Sequence, residues 1–136
     1  MSFLLSKTSE SRLSGVHPDL IRVVRGAALH YKGAGTEFIV VEGRRTLERQ
    51  RELFRAGRSQ TMRSRHLTGH AVDLAPMLDV DNDGDLDLSW RREHFFPIVG
   101  AMRESAAAAG VLIEWGGDWK TFHDLPHWQL PWSKYP

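Results

Sequence analysis

The sequence predicts an α+β domain in which helices pack against a small antiparallel sheet. Three observations carry that expectation. Short runs of β-branched, aromatic and other apolar residues, the strand type, fall near positions 37–41, 70–75 and 111–115. Between them lie stretches whose apolar residues recur every three or four positions, the spacing of a helix that buries one side. Glycines, prolines and an Asp-Gly pair separate the two kinds of stretch. A chain of 136 residues can build one core and is too short for two, so a single domain over residues 1–136 is expected.

Composition narrows the function classes. The formal charge is only +1, which gives no general case for nucleic acid or a membrane surface as partner. Cysteine is absent, so disulfides and thiol chemistry are excluded. The opening Met1-Ser2-Phe3-Leu4-Leu5-Ser6-Lys7 lacks a basic leader and has only a brief apolar patch. No signal peptide and no membrane-spanning segment are expected.

In chain order, Thr8 to Gly15 reads as a polar, serine-rich lead-in. His17-Pro18-Asp19 opens a helix, with proline suited to the first helical position and aspartate to the positive end. Leu20, Val23, Val24, Ala27 and Tyr31 follow at helical spacing, and Gly33 and Gly35 stop it. His17, beside a proline at a helix start, reads as structural or exposed. Glu37 to Val41 is a strand that ends in Glu42-Gly43-Arg44-Arg45-Thr46, with Thr46 as helix cap. The next helix carries Leu47, Leu53 and Phe54 on one side and closes near Gly57. Arg49, Arg51, Arg55 and Arg58 are interleaved with Glu48 and Glu52, so its basic side reads as a solvated, ion-paired face.

The segment Asp79-Val80-Asp81-Asn82-Asp83-Gly84-Asp85-Leu86-Asp87 has two readings. Carboxylates at Asp79, Asp81 and Asp83 match the first half of a calcium loop, although Trp90 stands where such loops carry a bidentate glutamate. Alternatively Asp-Gly marks an acidic hairpin turn. Ser89 to Ala109 reads as the longest helix, with Phe95, Ile98, Val99, Met102 and Ala106 as its apolar stripe, Pro97 near its start and Gly110 at its end. The Ala106–Ala109 run suits a close approach to a sheet. Val111 to Trp115 is then a strand, and Gly116-Gly117 a turn.

The chemistry concentrates in two places. Ser64-Arg65-His66-Leu67-Thr68-Gly69-His70-Ala71-Val72-Asp73 sets an imidazole and a carboxylate around a glycine turn. Neutral imidazole and carboxylate are ligand types that suit zinc. A helical His66/His70 pair is the rival zinc arrangement, but that motif needs glutamate after the first histidine, where Leu67 stands, and Gly69 disfavours a helix interior. Asp124-Leu125-Pro126-His127-Trp128 adds a carboxylate three residues before a histidine, with a proline turn between. His123 is a competing ligand.

The pattern Ser64-x-His66-x-x-Gly69-x-Ala71-x-Asp73, with Asp124-x-x-His127-Trp128, resembles the zinc D-alanyl-D-alanine and L-alanyl-D-glutamate peptidases, which cleave bacterial cell-wall peptides and include many phage endolysins. The resemblance runs from about Leu13 to Leu130 and implies a hedgehog/DD-peptidase-like sheet. It implies zinc held by His66, Asp73 and His127, and Asp124 as the acid/base carboxylate. An arginine after the first strand points into the active site in that family. By position this is Arg45 rather than Arg44, and the alternative is a surface arginine paired with Glu42. Ser64 is expected to hydrogen-bond the peptide. The implied function is a zinc endopeptidase of peptidoglycan stem peptides, an endolysin cutting L-alanyl-D-glutamate. It is expected to be a monomer without a separate wall-binding domain, acting after membrane permeabilisation. A D-alanyl-D-alanine dipeptidase or carboxypeptidase, and a non-catalytic wall-binding protein that keeps its zinc, are the alternatives.

Overall fold

The computed structural model describes every residue except 1, 60 and 122. Among the described residues, four α-helices and a five-stranded sheet follow in the order α1 (Lys7–Arg12), α2 (Pro18–His30), β1 (Glu37–Glu42), α3 (Leu47–Arg55), β2 (Ala71–Leu78), β3 (Asp87–Leu88), α4 (Phe96–Ala109), β4 (Glu114–Trp115) and β5 (His127–Gln129). All pairings are antiparallel, in the order β1-β2-β5-β4, and β3 pairs with the far end of β2. The α+β expectation holds. Among the described residues no helix is long and apolar enough to cross a membrane.

Capping chemistry sets the helix starts. The Ser6 hydroxyl accepts from the Ser9 backbone N–H, His17 Nδ1 from Asp19, and Thr46 Oγ1 from Arg49. The polar lead-in is therefore a helix, α1, which covers the edge of β1. Val40 donates its N–H to Ser9 Oγ and its carbonyl accepts from Arg12 Nη1, so backbone groups that an edge strand leaves open are satisfied.

The core lies between the sheet and the α2/α4 pair. Val23, Val24, Ile98, Met102, Val72, Leu74 and Trp128 are all buried within it. Each such side chain contributes on the order of 1.5–3 kcal/mol over exposure. The close approach of α4 is to α2, where the Ser105 hydroxyl donates to the Val23 carbonyl at 2.7 Å. It is not made by the alanine run, of which only Ala106 is buried. This helix begins later than expected: Arg92–Phe95 forms a 3-10 turn, and Ser89 Oγ lies 2.5 Å from His94 Nδ1 ahead of it.

Three further expectations are corrected. The run at 111–115 is strand only at Glu114–Trp115. His127–Gln129, for which no strand was expected, is a central strand between β2 and β4. Finally, α3 does not bury its leucine side, since Leu47 and Phe54 are about half exposed (49% and 47%). Its buried residue is Gln50, whose amide donates to Ser59 Oγ and the Thr61 carbonyl and accepts from Arg45. A buried side-chain amide must satisfy its donors and acceptor, and here it fixes the segment that walls the cleft.

Candidate metal centre

Sheet register brings the two chemical segments together. Asp73 on β2 lies opposite Glu42 on one neighbour and His127 on the other. Directly paired residues share a face, so the three side chains project together. Residues two apart in a strand also share a face, which places Gln129 beside His127, with Glu114 opposite Gln129. The opposite face carries Val72, Leu74 and Trp128 into the core.

His66 arrives from a 3-10 turn, Arg65–Thr68. Ser64 Oγ accepts from the His66 N–H at 3.2 Å, and Gly69 ends the turn at φ 77°, a conformation glycine adopts without a Cβ clash. The His66–His70 helical pair does not form. His70 Nδ1 instead lies 2.7 Å from Thr68 Oγ1, and its ring stacks near His17, with centroids 5.4 Å apart. His123 Nδ1 lies 3.1 Å from the Gly117 carbonyl.

Hydrogen bonds fix which ring nitrogens face Asp73. His66 Nδ1 lies 2.8 Å from the Gly43 carbonyl, which can only accept, so Nδ1 carries the proton and Nε2 presents its lone pair. That Nε2 is 3.2 Å from Asp73 Oδ1. His127 Nε2 lies 2.7 Å from Gln129 Oε1, while the Gln129 amide nitrogen donates to Glu114 Oε2 at 3.2 Å. His127 therefore protonates Nε2 and aims the bare Nδ1 at Asp73 Oδ1, 3.4 Å away.

With both rings neutral, two lone pairs and a carboxylate oxygen converge here, an arrangement a cation relieves. Tetrahedral zinc at its usual ligand distances of about 2.0–2.1 Å separates ligand atoms by roughly 3.3 Å. The 3.2 and 3.4 Å contacts fit that spacing, and the three ligand atoms lie within 4.8 Å of one another. Without the cation, burial opposes the charge on Asp73, but both histidines outweigh it and hold the carboxyl far below its ordinary range. His127 responds in kind: burial pushes it down, and Asp73 then pulls it above the ordinary imidazole value.

Asp124 stands beside this group, its Oδ2 4.0 Å from His127 Nδ1. Burial first, and then the charge of Asp73, raise its carboxyl above the ordinary range against the pull of His127, His66 and Arg45. Its place depends on Gly116. A Cβ there would lie 2.4 Å from the Asp124 carbonyl and 3.1 Å from His127 Cβ, and the Gly116 carbonyl accepts from the Asp124 N–H.

Arg45 is paired with Glu42, as the surface alternative held, yet its side chain is only 8% exposed and lines the cleft. Its Nη1 donates to Gln50 at 2.6 Å and lies 3.5 Å from Ser64 Oγ, and its Nη2 is 4.0 Å from Asp73 Oδ2. The Arg44 side chain packs under Gly15 instead.

The acidic segment is a separate feature. Carboxylate oxygens of Asp79, Asp81 and Asp83 lie within 4.8 Å of one another. Backbone N–H groups already bond them: Asp83 and Gly84 donate to Asp79 at 3.0 and 2.8 Å, and Asp85 to Asp83 at 2.9 Å. The acidic turn is closed by its own backbone.

Sequence reasoning missed Gln129, Gln50 and Gly116 as supports of the site. The Gln129 signal was present, since a histidine and a glutamine two apart share a face once the segment is read as a strand.

Comparison with known proteins identifies relatives of this chain. Residues 1–128 match the family model described as phage L-alanyl-D-glutamate peptidase. The L-alanyl-D-glutamate peptidase of Escherichia phage T5 is 30% identical over 131 residues, covering 91% of this chain and 89% of that protein. The Listeria phage A118 peptidase of the same name is 36% identical over 101 residues, 74% of this chain and 33% of that longer protein. The crystal structure of Serratia marcescens L-Ala D-Glu endopeptidase ChiX superposes with a TM-score of 0.86 at 45% identity, covering 99% of this chain and 95% of that one.

Proposed function

We propose a zinc-dependent mechanism for this chain, which belongs to the phage L-alanyl-D-glutamate peptidase family. It is a peptidoglycan endopeptidase of the endolysin type. His66, Asp73 and His127 would hold the zinc, and the single observation that supports this is the convergence of His66 Nε2 and His127 Nδ1 on Asp73 Oδ1, at 3.2 and 3.4 Å. Bound zinc supplies a Lewis acid for the scissile carbonyl and acidifies water.

The chain's own residues do the rest. Asp124, with its raised proton affinity, takes a proton from the attacking water at its carboxylate and returns it to the leaving amine of D-glutamate. Arg45, held by Glu42 and Gln50, presents guanidinium N–H groups to a substrate carboxylate or to the oxygen that gains charge. Ser64 already accepts from the His66 N–H, which leaves its O–H free to donate to the peptide. Trp119 covers His127, with ring centroids 5.1 Å apart, and limits water there.

The same proposal has the chain working as a monomer and reaching the wall after the membrane is permeabilised. It also keeps weakly bound calcium at Asp79, Asp81 and Asp83 as a separate element. The test is a digest of intact muropeptides read by mass spectrometry. Stems released between L-alanine and D-glutamate are expected. Loss of terminal D-alanine would point to the D-alanyl-D-alanine alternative, and unchanged muropeptides to a non-catalytic wall-binding protein.

A further inference from the structure

The far wall of the cleft holds a cation, Arg65, that makes no ion-pair contact among the described residues, with the charge of Glu114 acting on it from beyond contact distance. The cleft, about 460 Å³ in volume, runs from Glu42 and Arg45 past the metal centre to Gln129, Arg63, Arg65 and Trp132. Arg65 is only 3% exposed. Its acceptors among the described residues are two backbone carbonyls, Leu130 at 3.0 Å and Tyr135 at 2.6 Å, both bonded through Nη2. Its Nε is buried with no hydrogen-bond partner. The guanidinium carbon sits 4.0 Å from the centroid of the Trp132 ring, and that of exposed Arg63 lies 5.9 Å from the same ring. Trp132 itself is 47% exposed.

A buried guanidinium without a contacting counter-ion is costly, and a carboxylate that reaches it gains charge-assisted hydrogen bonds. Stacking on an indole holds the planar group in a fixed orientation, which favours paired contacts. The scissile bond places such a carboxylate on one side only. L-Alanine offers a methyl group, whereas D-glutamate, whose amine leaves, carries two carboxyls and needs only one to continue the chain.

Resting on the peptidase reading above, we propose that Arg63 and Arg65, gathered about the Trp132 ring, form a specificity subsite for the free carboxylate of D-glutamate. The enzyme then selects stems with that carboxylate over stems in which it is a carboxamide, and the subsite orients the leaving side toward Trp132.

The test uses zinc-loaded full-length protein and two synthetic stem peptides that differ only in that group. Wild type is expected to favour the carboxylate peptide by about tenfold to hundredfold in kcat/KM, the usual strength of hydrogen bonds to a charged partner. Arg63→Gln should bring the two values together through a raised KM for the carboxylate peptide, and Arg63→Lys should keep part of the preference. Arg65→Lys should also weaken it. Because Arg65 is buried and that variant can misfold, exposed Arg63 carries the test. Equal cleavage of both peptides by wild type would overturn the subsite and leave the peptidase reading standing. A preference that survives Arg63→Gln and Arg65→Lys, or that vanishes in Arg58→Gln instead, would overturn it as well. Failure to cut either peptide would overturn the peptidase reading together with the subsite.

Discussion

His127 Nε2 lies 2.7 Å from Gln129 Oε1, and this contact decides which ring nitrogen of His127 faces Asp73. Glu114 completes the device by accepting from the Gln129 amide, which stops the amide from turning over. Gln129→Leu should therefore keep the fold and weaken zinc binding by about 10–100-fold, the usual cost of removing a group that orients a metal ligand. Competition with a zinc chelator measures this. Wild-type affinity in Gln129→Leu would mean that packing alone orients His127.

Asp124 lies beside the metal group, its Oδ2 4.0 Å from His127 Nδ1, but is not one of the three residues whose ligand atoms converge, so its role is separable from metal binding. Asp124→Ala should retain zinc and melt within a few degrees of wild type while turnover falls by ~10²–10⁴. Activity near wild type would pass the proton role to another group. Glu114, the carboxylate on β4, is committed to Gln129.

Acid should strip the metal. In the metal-free chain His127 holds its proton up to a higher pH than the ordinary value of about 6.5, because Asp73 outweighs the effect of burial. Zinc needs that nitrogen bare, so affinity should fall as pH drops through the raised His127 value. Asp73, held low, stays ionised across the same range. Zinc titrations at a series of pH values check this, and an affinity that stays flat from about pH 8 to 5 would contradict it.

Calcium should bind the acidic turn weakly, with a Kd on the order of 10⁻⁴ M or above. Because the carboxylates are already bonded to the backbone of their own turn, an ion adds modest stability by mass action. The check is a calcium titration of calcium-free, zinc-loaded protein followed by melting temperature. No shift up to millimolar calcium, or a shift that survives Asp81→Ala, leaves only a turn.

Much of the site was legible because its parts are local. The Ser64–Asp73 segment encodes a capped turn, a left-handed glycine and a strand in ten residues, and each has a distinct sequence signal. The link to His127 came from a family resemblance, since no local rule pairs residues fifty apart. β5 was not legible as a strand: it is three residues long, follows Pro126, and exists because β2 and β4 flank it. Short elements held by tertiary pairing leave little periodicity to read. The α3 leucines misled for a related reason, since the helix is anchored by the polar network of Gln50 and leaves Leu47 and Phe54 half exposed.

The central claim is that His66, Asp73 and His127 hold one catalytic zinc. Zinc content per folded chain, measured by elemental mass spectrometry alongside muropeptide turnover, tests it most directly. Wild type should carry one zinc per chain. His66→Ala and His127→Ala should each lose the metal and the activity together while circular dichroism reports a folded protein. Stoichiometric zinc retained in both variants would place the metal elsewhere and contradict the account.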